Sequence, residues 1–381
     1  MQSTCIFSEN EKRSHSKNDV RTTMMLSPPT HILGVYTLAI FTLCSINAQR
    51  VDLKGKPSLS FNEHGNFKIL QLTDLHLGEA PSSSWGPEAD RKTLALIREL
   101  INFENPDLVV LGGDQITANN IDANATVYYD LIADVLESYA IPYAVIFGNH
   151  DDADLELRLP NGTITTKPAK TSRRQLLQSE RRHAHSLARE GPPNTIGVSN
   201  FMIPVHRDSN DEDDVALQIV FLDSGGGSLP QEVGYSQLET WYRSERLDGV
   251  DAVGFQHIPT QEFQFDNLTC TGFQGEGIAP LEFDRLGEVS VLGDDLHFLA
   301  VGHNHGNSYC CSTDHMLHLC FGRHSGYGGY GRWDRGGRVF EIKALDSATG
   351  GGVEWRSWVR LHNGEVTDEY NVLDMANAYD S

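Results

Sequence analysis

Five short stretches of this 381-residue chain place side chains that can ligate a cation or carry a proton directly after an apolar run. They are Asp74-Leu75-His76, Gly113-Asp114, Gly148-Asn149-His150-Asp151, His257, and Gly302-His303-Asn304-His305. Carboxylate oxygen, imidazole nitrogen and amide oxygen are the donors that hard and borderline divalent metals take. Asp74, His76, Asp114, Asn149, His257, His303 and His305 make seven candidate ligands, too many for one ion that also keeps a water. Two cations about 3.5 to 4 Å apart would use them, with a carboxylate bridging and a hydroxide held between as nucleophile. Only Asp74 and Asp114 bring negative charge, so the pair would stay net positive and attract a phosphate.

The runs before these residues must be strands whose ends converge. "FKILQLTDLH" ends at Asp74 and His76, "DLVVLGGDQ" at Asp114, and "YAVIFGNHDD" at His150. Between them lie two stretches of helical spacing, Pro87 to Ile101 and Val127 to Leu136, the second with Val127, Leu131 and Val135 on one face. Strand and helix in alternation predict βαβ units and a mostly parallel sheet, where ligands bind outside the carboxyl ends of strands. "VALQIVFLDSGGG", "GVDAVGFQHIP" and "LHFLAVGHNHG" resume the pattern, and the tail from residue 317 reads as antiparallel strands with glycine-rich turns. Residues 152–215 differ: a loop, the basic helical stretch "TSRRQLLQSERRHAHSLARE" and the acidic "DSNDEDD", all with charges expected in solvent.

A net charge of -22 argues against a nucleic-acid partner, which needs clustered Lys and Arg. Residues 1–50 stand apart from the domain expected over 51–381. There a polar segment precedes the uncharged run from Ile32 to Ala48, read as a signal peptide or a single signal anchor. Either would place the rest in the secretory pathway, vacuolar, lumenal, anchored or secreted. Asn124, Asn161 and Asn267 begin glycosylation acceptor triplets, and Cys270, Cys310, Cys311 and Cys320 form an even set suited to disulfides. Cys320 should pair across a hairpin with one of Cys310 and Cys311.

The order and spacing of these motifs resemble those of the calcineurin-like metallophosphoesterases, in which D-x-H, G-D, G-N-H-D/E, a lone His and G-H-x-H stand at strand ends. "FLDSGGG", "FQHIPTQEF" and "GYGGYGRWDRGGRV" are similar to a plant and fungal purple-acid-phosphatase-like subgroup. The resemblance implies an α/β fold, a four-layer α/β/β/α double β-sandwich, and two divalent ions of Mn, Fe or Zn. One would take Asp74, His76, Asp114 and His305; the other Asp114, Asn149, His257 and His303. His150 would face a phosphate-ester substrate as acid or phosphate ligand. The implied activity is hydrolysis of a phosphate ester. A diesterase acting on nucleotides or lipid head groups, or a non-catalytic metal-binding protein on the same scaffold, are the alternatives.

Asp151 could orient His150 or cap the turn, and Arg323 could contact a phosphate. Asp223 in "FLDSGGG" would organise a loop near the site. Thr117 stands where purple acid phosphatases carry a tyrosine ligand, three residues after the bridging aspartate. A threonine hydroxyl is too weakly acidic to replace a phenolate, which leaves a divalent ion favoured over Fe(III). Purified protein is therefore expected to be colourless; a strong band in the middle of the visible spectrum would contradict this.

Overall fold

The computed structural model describes residues 55–209, 211, 213–226, 234–264, 268–278, 295–313, 317–345 and 351–372. The run from Ile32 to Ala48 and the acceptor Asn267 lie outside them. Contacts divide the chain into residues 1–51 and 52–381, and every strand and helix named below belongs to the second unit. Among the described residues no helix is long and apolar enough to cross a membrane.

In chain order, β1 (Leu59–Ser60) and β2 (Asn66–Leu72) lead to α1 (Gly86–Glu104), then β3 (Leu108–Gly112), α2 (Thr126–Ser138) and β4 (Tyr143–Ile146). A hairpin, β5 (Leu155–Arg158) and β6 (Ile164–Lys167), precedes α3 (Arg173–Glu180). Next come β7 (Phe201–His206), β8 (Val215–Leu222), α4 (Gly234–Glu245), β9 (Asp251–Gln256), β10 (Thr269–Gln274), β11 (Leu296–Val301), β12 (Asn307–Ser312) and β13 (His318–Phe321). β14 (Gly336–Ala344), β15 (Val353–Leu361) and β16 (Val366–Asn371) close the fold. Six strands form one sheet in the order β16-β15-β14-β2-β3-β4, and eight form another in the order β1-β7-β8-β9-β11-β13-β12-β10. The β2-β3-β4 and β8-β9-β11-β13 segments are parallel and the flanking strands mostly antiparallel, so the sheets are mixed.

Side-chain alternation sets the layers. Ile69, Val110 and Ile146 turn inward to meet Ile219, Val253 and Phe298 of the other sheet. Their neighbours Leu70, Val109 and Val145 turn outward onto Ile97, Leu100 and Tyr129 of α1 and α2. Beyond the larger sheet, Val220 and Leu299 pack on Leu238 and Tyr242 of α4. This is the four-layer α/β/β/α sandwich. β3 is buried at every position, as a strand covered on both faces requires.

Local rules explain the ends of α1: a proline opens it, and Asn105, with φ 44°, closes it by donating its N–H to Ile101 O. α2 corrects the sequence reading. Val127 and Leu131 are exposed, whereas Val135 is buried as expected, together with Tyr129, Ile132, Ala133 and Leu136. Its inward face is carried by the tyrosine ring, which an aliphatic i, i+4 pattern passes over. The basic stretch is also shorter as a helix than expected, and its first helical residue, Arg173, is buried rather than solvated.

Cys270 is disulfide-bonded to Cys311, and Cys310 to Cys320. Each pair sits directly opposite in antiparallel register, between β10 and β12 and between β12 and β13. Successive strand residues point to opposite faces, so Cys310 and Cys311 reach different partners. On the chain-entropy model the 41- and 10-residue separations contribute about 4 and about 3 kcal/mol.

Glu180, at the end of α3, has both carboxyl oxygens buried without a hydrogen-bond partner. Burial, with help from Asp130 and Glu137 and against Arg182 and Lys56, pushes its pKa from 4.5 up to about 8. A folded pKa above the unfolded one gives stability that is present below pH 4.5 and lost as pH rises toward 8. Glu180→Gln is expected to match the wild-type melting temperature at pH 4.5 and exceed it increasingly up to pH 8; a constant difference would refute this.

Candidate metal centre

Six of the seven candidate ligands meet where the two sheets share a seam, and Asn149 sits on the loop after β4. Thr73, just past β2, bridges to His324, just past β13. Ser325 N donates to Thr73 O at 3.0 Å and Gly326 N to Asp74 O at 3.1 Å, so both sheets present their strand ends to one place. Among the described residues eight non-glycines have positive φ, and four are candidate ligands: Asp74 (57°), His76 (49°), Asp114 (52°) and His303 (72°). Such backbone costs about 1–3 kcal/mol per residue and persists only where the surroundings enforce it. Gly148 is needed for a different reason, because a Cβ there would overlap Asp114 Oδ1 and the Asp114 backbone nitrogen.

Two clusters result, Asp74 with His76 and His305, and Asp114 with His257 and His303. In the first, His305 Nε2 lies 3.2 Å from His76 Nε2 and 3.5 Å from Asp74 Oδ1. In the second, His257 Nε2 lies 3.1 Å from Asp114 Oδ2. Asp114 Oδ2 is also 3.8 Å from His76 Nε2, so this carboxylate stands between the groups. Asn149 Oδ1 is buried with no hydrogen-bond partner.

The outer nitrogens of three imidazoles are committed elsewhere. His257 Nδ1 donates to Gly112 O at 2.9 Å and His305 Nδ1 to Tyr330 O at 2.9 Å. His76 Nδ1 pairs with Thr117 Oγ1 at 3.0 Å. A neutral ring has one N–H, so a ring whose Nδ1 donates offers its Nε2 lone pair inward once no proton occupies it. Imidazole nitrogens facing each other at 3.2 Å, beside carboxylates and with an unpartnered amide oxygen on the neighbouring loop, suit a cation between them. The donor set therefore fits two divalent ions.

Charge in the site is uneven. Burial would raise Asp114, but His257, His150 and His76 together hold it well below the usual carboxylate range. Burial depresses His76 to about 3. Burial acts the same way on His257, yet Asp114 and Asp74 push that ring up to about 9.

A cavity of about 360 Å³ opens onto the clusters, lined among others by His76, Asp114, His150, His303 and His305. His150 is half-buried; its backbone N–H donates to Asp114 Oδ1 at 2.7 Å, and its Nδ1 pairs with Asn119 Oδ1 at 3.0 Å. The Asp151 carboxylate therefore does not orient that ring. It accepts from the backbone N–H of Asp114 (2.9 Å), Gln115 (2.9 Å) and Gly148 (2.6 Å) and from Tyr129 OH (2.7 Å), tying the loops after β3 and β4 together. Arg323 also departs from expectation. It is buried, donates to Asp334 O at 2.7 Å and Ser308 Oγ at 3.1 Å, and does not line the cavity.

Several site residues escaped the sequence reading. Arg173 donates to Gly148 O at 2.7 Å, to Asp152 Oδ1 at 2.9 Å and to Asp223 Oδ1 at 2.5 Å, so a residue of the basic stretch braces the His150 loop. The His305 ring is sandwiched between His324, at 3.9 Å between centroids, and Tyr330, stacked at 4.0 Å. "GRHSGYGGYGRW" held that signal, since Gly329 approaches the His76 and His305 rings too closely for any Cβ.

A model of calcineurin-like phosphoesterases matches residues 67–307. The chain belongs to that family. Phosphatase DCR2 of Saccharomyces cerevisiae is 28% identical over 88% of this chain, which spans 61% of its length. Probable inactive purple acid phosphatase 29 of Arabidopsis thaliana is 27% identical over 81% of this chain and 86% of its own. Among solved structures, a dimetal phosphatase from Danio rerio aligns with TM-score 0.48 at 12% identity, covering 80% of this chain and 98% of its own.

Within this phosphoesterase Thr117 supports His76 from behind. Thr117→Val keeps the shape and removes the Nδ1 partner, and loss of such a support typically costs about 10–100-fold in metal affinity. Metal titration calorimetry is expected to show that loss for Val and recovery with Thr117→Ser. Equal affinity in all three would exclude the support.

Proposed function

We propose that this chain is a working dinuclear metallophosphoesterase that hydrolyses phosphate esters, with a monoester as its main substrate. The observation that carries the reading is the convergence of two donor clusters, several of their outward nitrogens already bonded, on one cavity that also holds His150. Asp74, His76, Asp114 and His305 would hold one ion and Asp114, Asn149, His257 and His303 the other. Two divalent ions supply Lewis acidity toward the phosphoryl oxygens and an activated water. The chain does the rest. Asp114, its backbone fixed through Asp151, keeps the two clusters at one separation. His150, positioned by Asn119 and by its own N–H on Asp114, faces the cavity and would donate a proton to the departing ester oxygen. The diesterase alternative uses the same centre. The non-catalytic alternative would leave unexplained why both the donor set and His150 are complete.

The proposed compartment rests on separate observations. Two disulfides, acceptor triplets at exposed Asn124 and Asn161, and the apolar run before residue 51 support entry into the secretory pathway, where thiols oxidise and glycans are added. The leader would be the one membrane contact.

Three experiments test these readings. Turnover of p-nitrophenyl phosphate against its bis-ester, with Mn, Fe or Zn, should favour the monoester. Asp114→Asn should lose activity and metal at both positions, whereas His150→Ala should keep its metal and lose about 10²-fold or more in turnover. Full metal content in Asp114→Asn would refute the bridge. Protein secreted from a eukaryotic host should yield Cys270–Cys311 and Cys310–Cys320 peptides without reduction and shift in mass when deglycosylated; free thiols would refute the oxidising compartment.

A further inference from the structure

The reacting end of the cavity is histidine and carboxylate, but its rim has a different chemistry. Glu79, Asn119, Asn120 and Tyr330 line it, and no lysine or arginine does among the described residues. Arg173 lies nearby, yet its charge is committed to Asp152 and Asp223. Among the described residues that line the cavity, the metal positions and His150 are the ones that could neutralise a substrate's phosphate. Any second anionic group would meet the Glu79 carboxylate, in a protein of net charge -22, with no compensating cation.

Tyr330 adds an aromatic surface to that rim. One ring face stacks on His305 at 4.0 Å and 13°, the phenol OH donates to Glu276 Oε1 at 2.7 Å, and its carbonyl holds His305 Nδ1. These contacts fix the ring, and the residue remains 49% exposed on the cavity rim. A fixed, exposed aromatic ring beside the phosphoryl position is a platform for a flat group. Glu79 is fixed too, accepting from Gly329 N.

We propose that Glu79 and Tyr330 form a leaving-group subsite that favours a planar, uncharged ester group and disfavours one carrying a second negative charge. This rests on the phosphoesterase reading above. It names the substrate class as aryl-like or heteroaromatic esters, with phosphate as the sole anion.

The test uses the full-length, metal-loaded protein with phenyl phosphate, 3-carboxyphenyl phosphate, 3-(aminomethyl)phenyl phosphate and the ring-free glycerol 2-phosphate. The wild type should turn over phenyl and aminomethyl esters with higher kcat/KM than the carboxyl and glycerol esters. Glu79→Gln retains an acceptor for Gly329 N and should narrow the phenyl-to-carboxyl ratio about tenfold, toward the water-screened end of the range for two unit charges a few ångströms apart. Tyr330→Leu should lower the phenyl-to-glycerol ratio about fivefold, the scale of one aromatic contact, and Tyr330→Phe should preserve it. Metal content measured on each variant separates the platform from the clamp on His305, because a clamp defect lowers all four substrates together. Unchanged ratios in Glu79→Gln, or a uniform loss in Tyr330→Leu, would overturn the subsite while leaving hydrolysis intact. No metal-dependent turnover of any ester by the wild type would instead overturn the phosphoesterase reading, and the subsite with it.

Discussion

Two carboxylates, Asp74 and Asp114, are buried within reach of one histidine ring: His257 Nε2 lies 3.9 Å from Asp74 Oδ1 and 3.1 Å from Asp114 Oδ2. Like charges that close in a low-dielectric place repel strongly unless positive charge stands between them. Much of the surrounding architecture serves to hold that arrangement. Left-handed backbone at Asp74 and Asp114 turns each chain sharply off its strand, and neighbouring donors then fix the carboxylates: Thr73 Oγ1 and His303 N on Asp74, His150 N on Asp114. A metal-binding centre would make use of this strain.

The seam between the sheets is what makes such positioning rigid. β2 belongs to one sheet and β13 to the other, and the bonds between their exits join the two layers at the site itself. Asp151 then ties the β3 and β4 loops, while Arg173 joins the β4 loop to Asp223 at the end of β8. These are buried charges with several partners each, the condition under which buried ionic groups fix geometry rather than merely cost stability. Donors placed on strand ends and braced this way lose little freedom when a ligand arrives.

The acidic character of the protein and its anionic substrate are compatible for a local reason. Net charge acts over a Debye length, about 8 Å at physiological salt, whereas a dinuclear centre acts at contact distance inside a cavity. The same contrast separates the two ends of the cavity: donors for cations at the base, and amides, a carboxylate and an aromatic ring at the rim.

The strand-end motifs were legible from sequence because residue type, order and local spacing are properties of short segments. An apolar run followed by Asp or His is a strand meeting a loop whatever lies around it, and the proline that starts α1 acts within one turn. The family pattern, the candidate donors and the α/β class all follow from such segments, and the layering follows from the family resemblance. Tertiary structure decided what depends on contacts between segments far apart. Which cysteine meets Cys320 was settled by the face each of two adjacent residues occupies in β12. That Val127 and Leu131 face water, that Arg173 is buried against Asp223, and that Thr117 and Tyr330 stand behind His76 and His305, were settled by packing between segments well separated along the chain. Local periodicity carries no information about such partners, because their energy exists only once the two sheets have closed on each other.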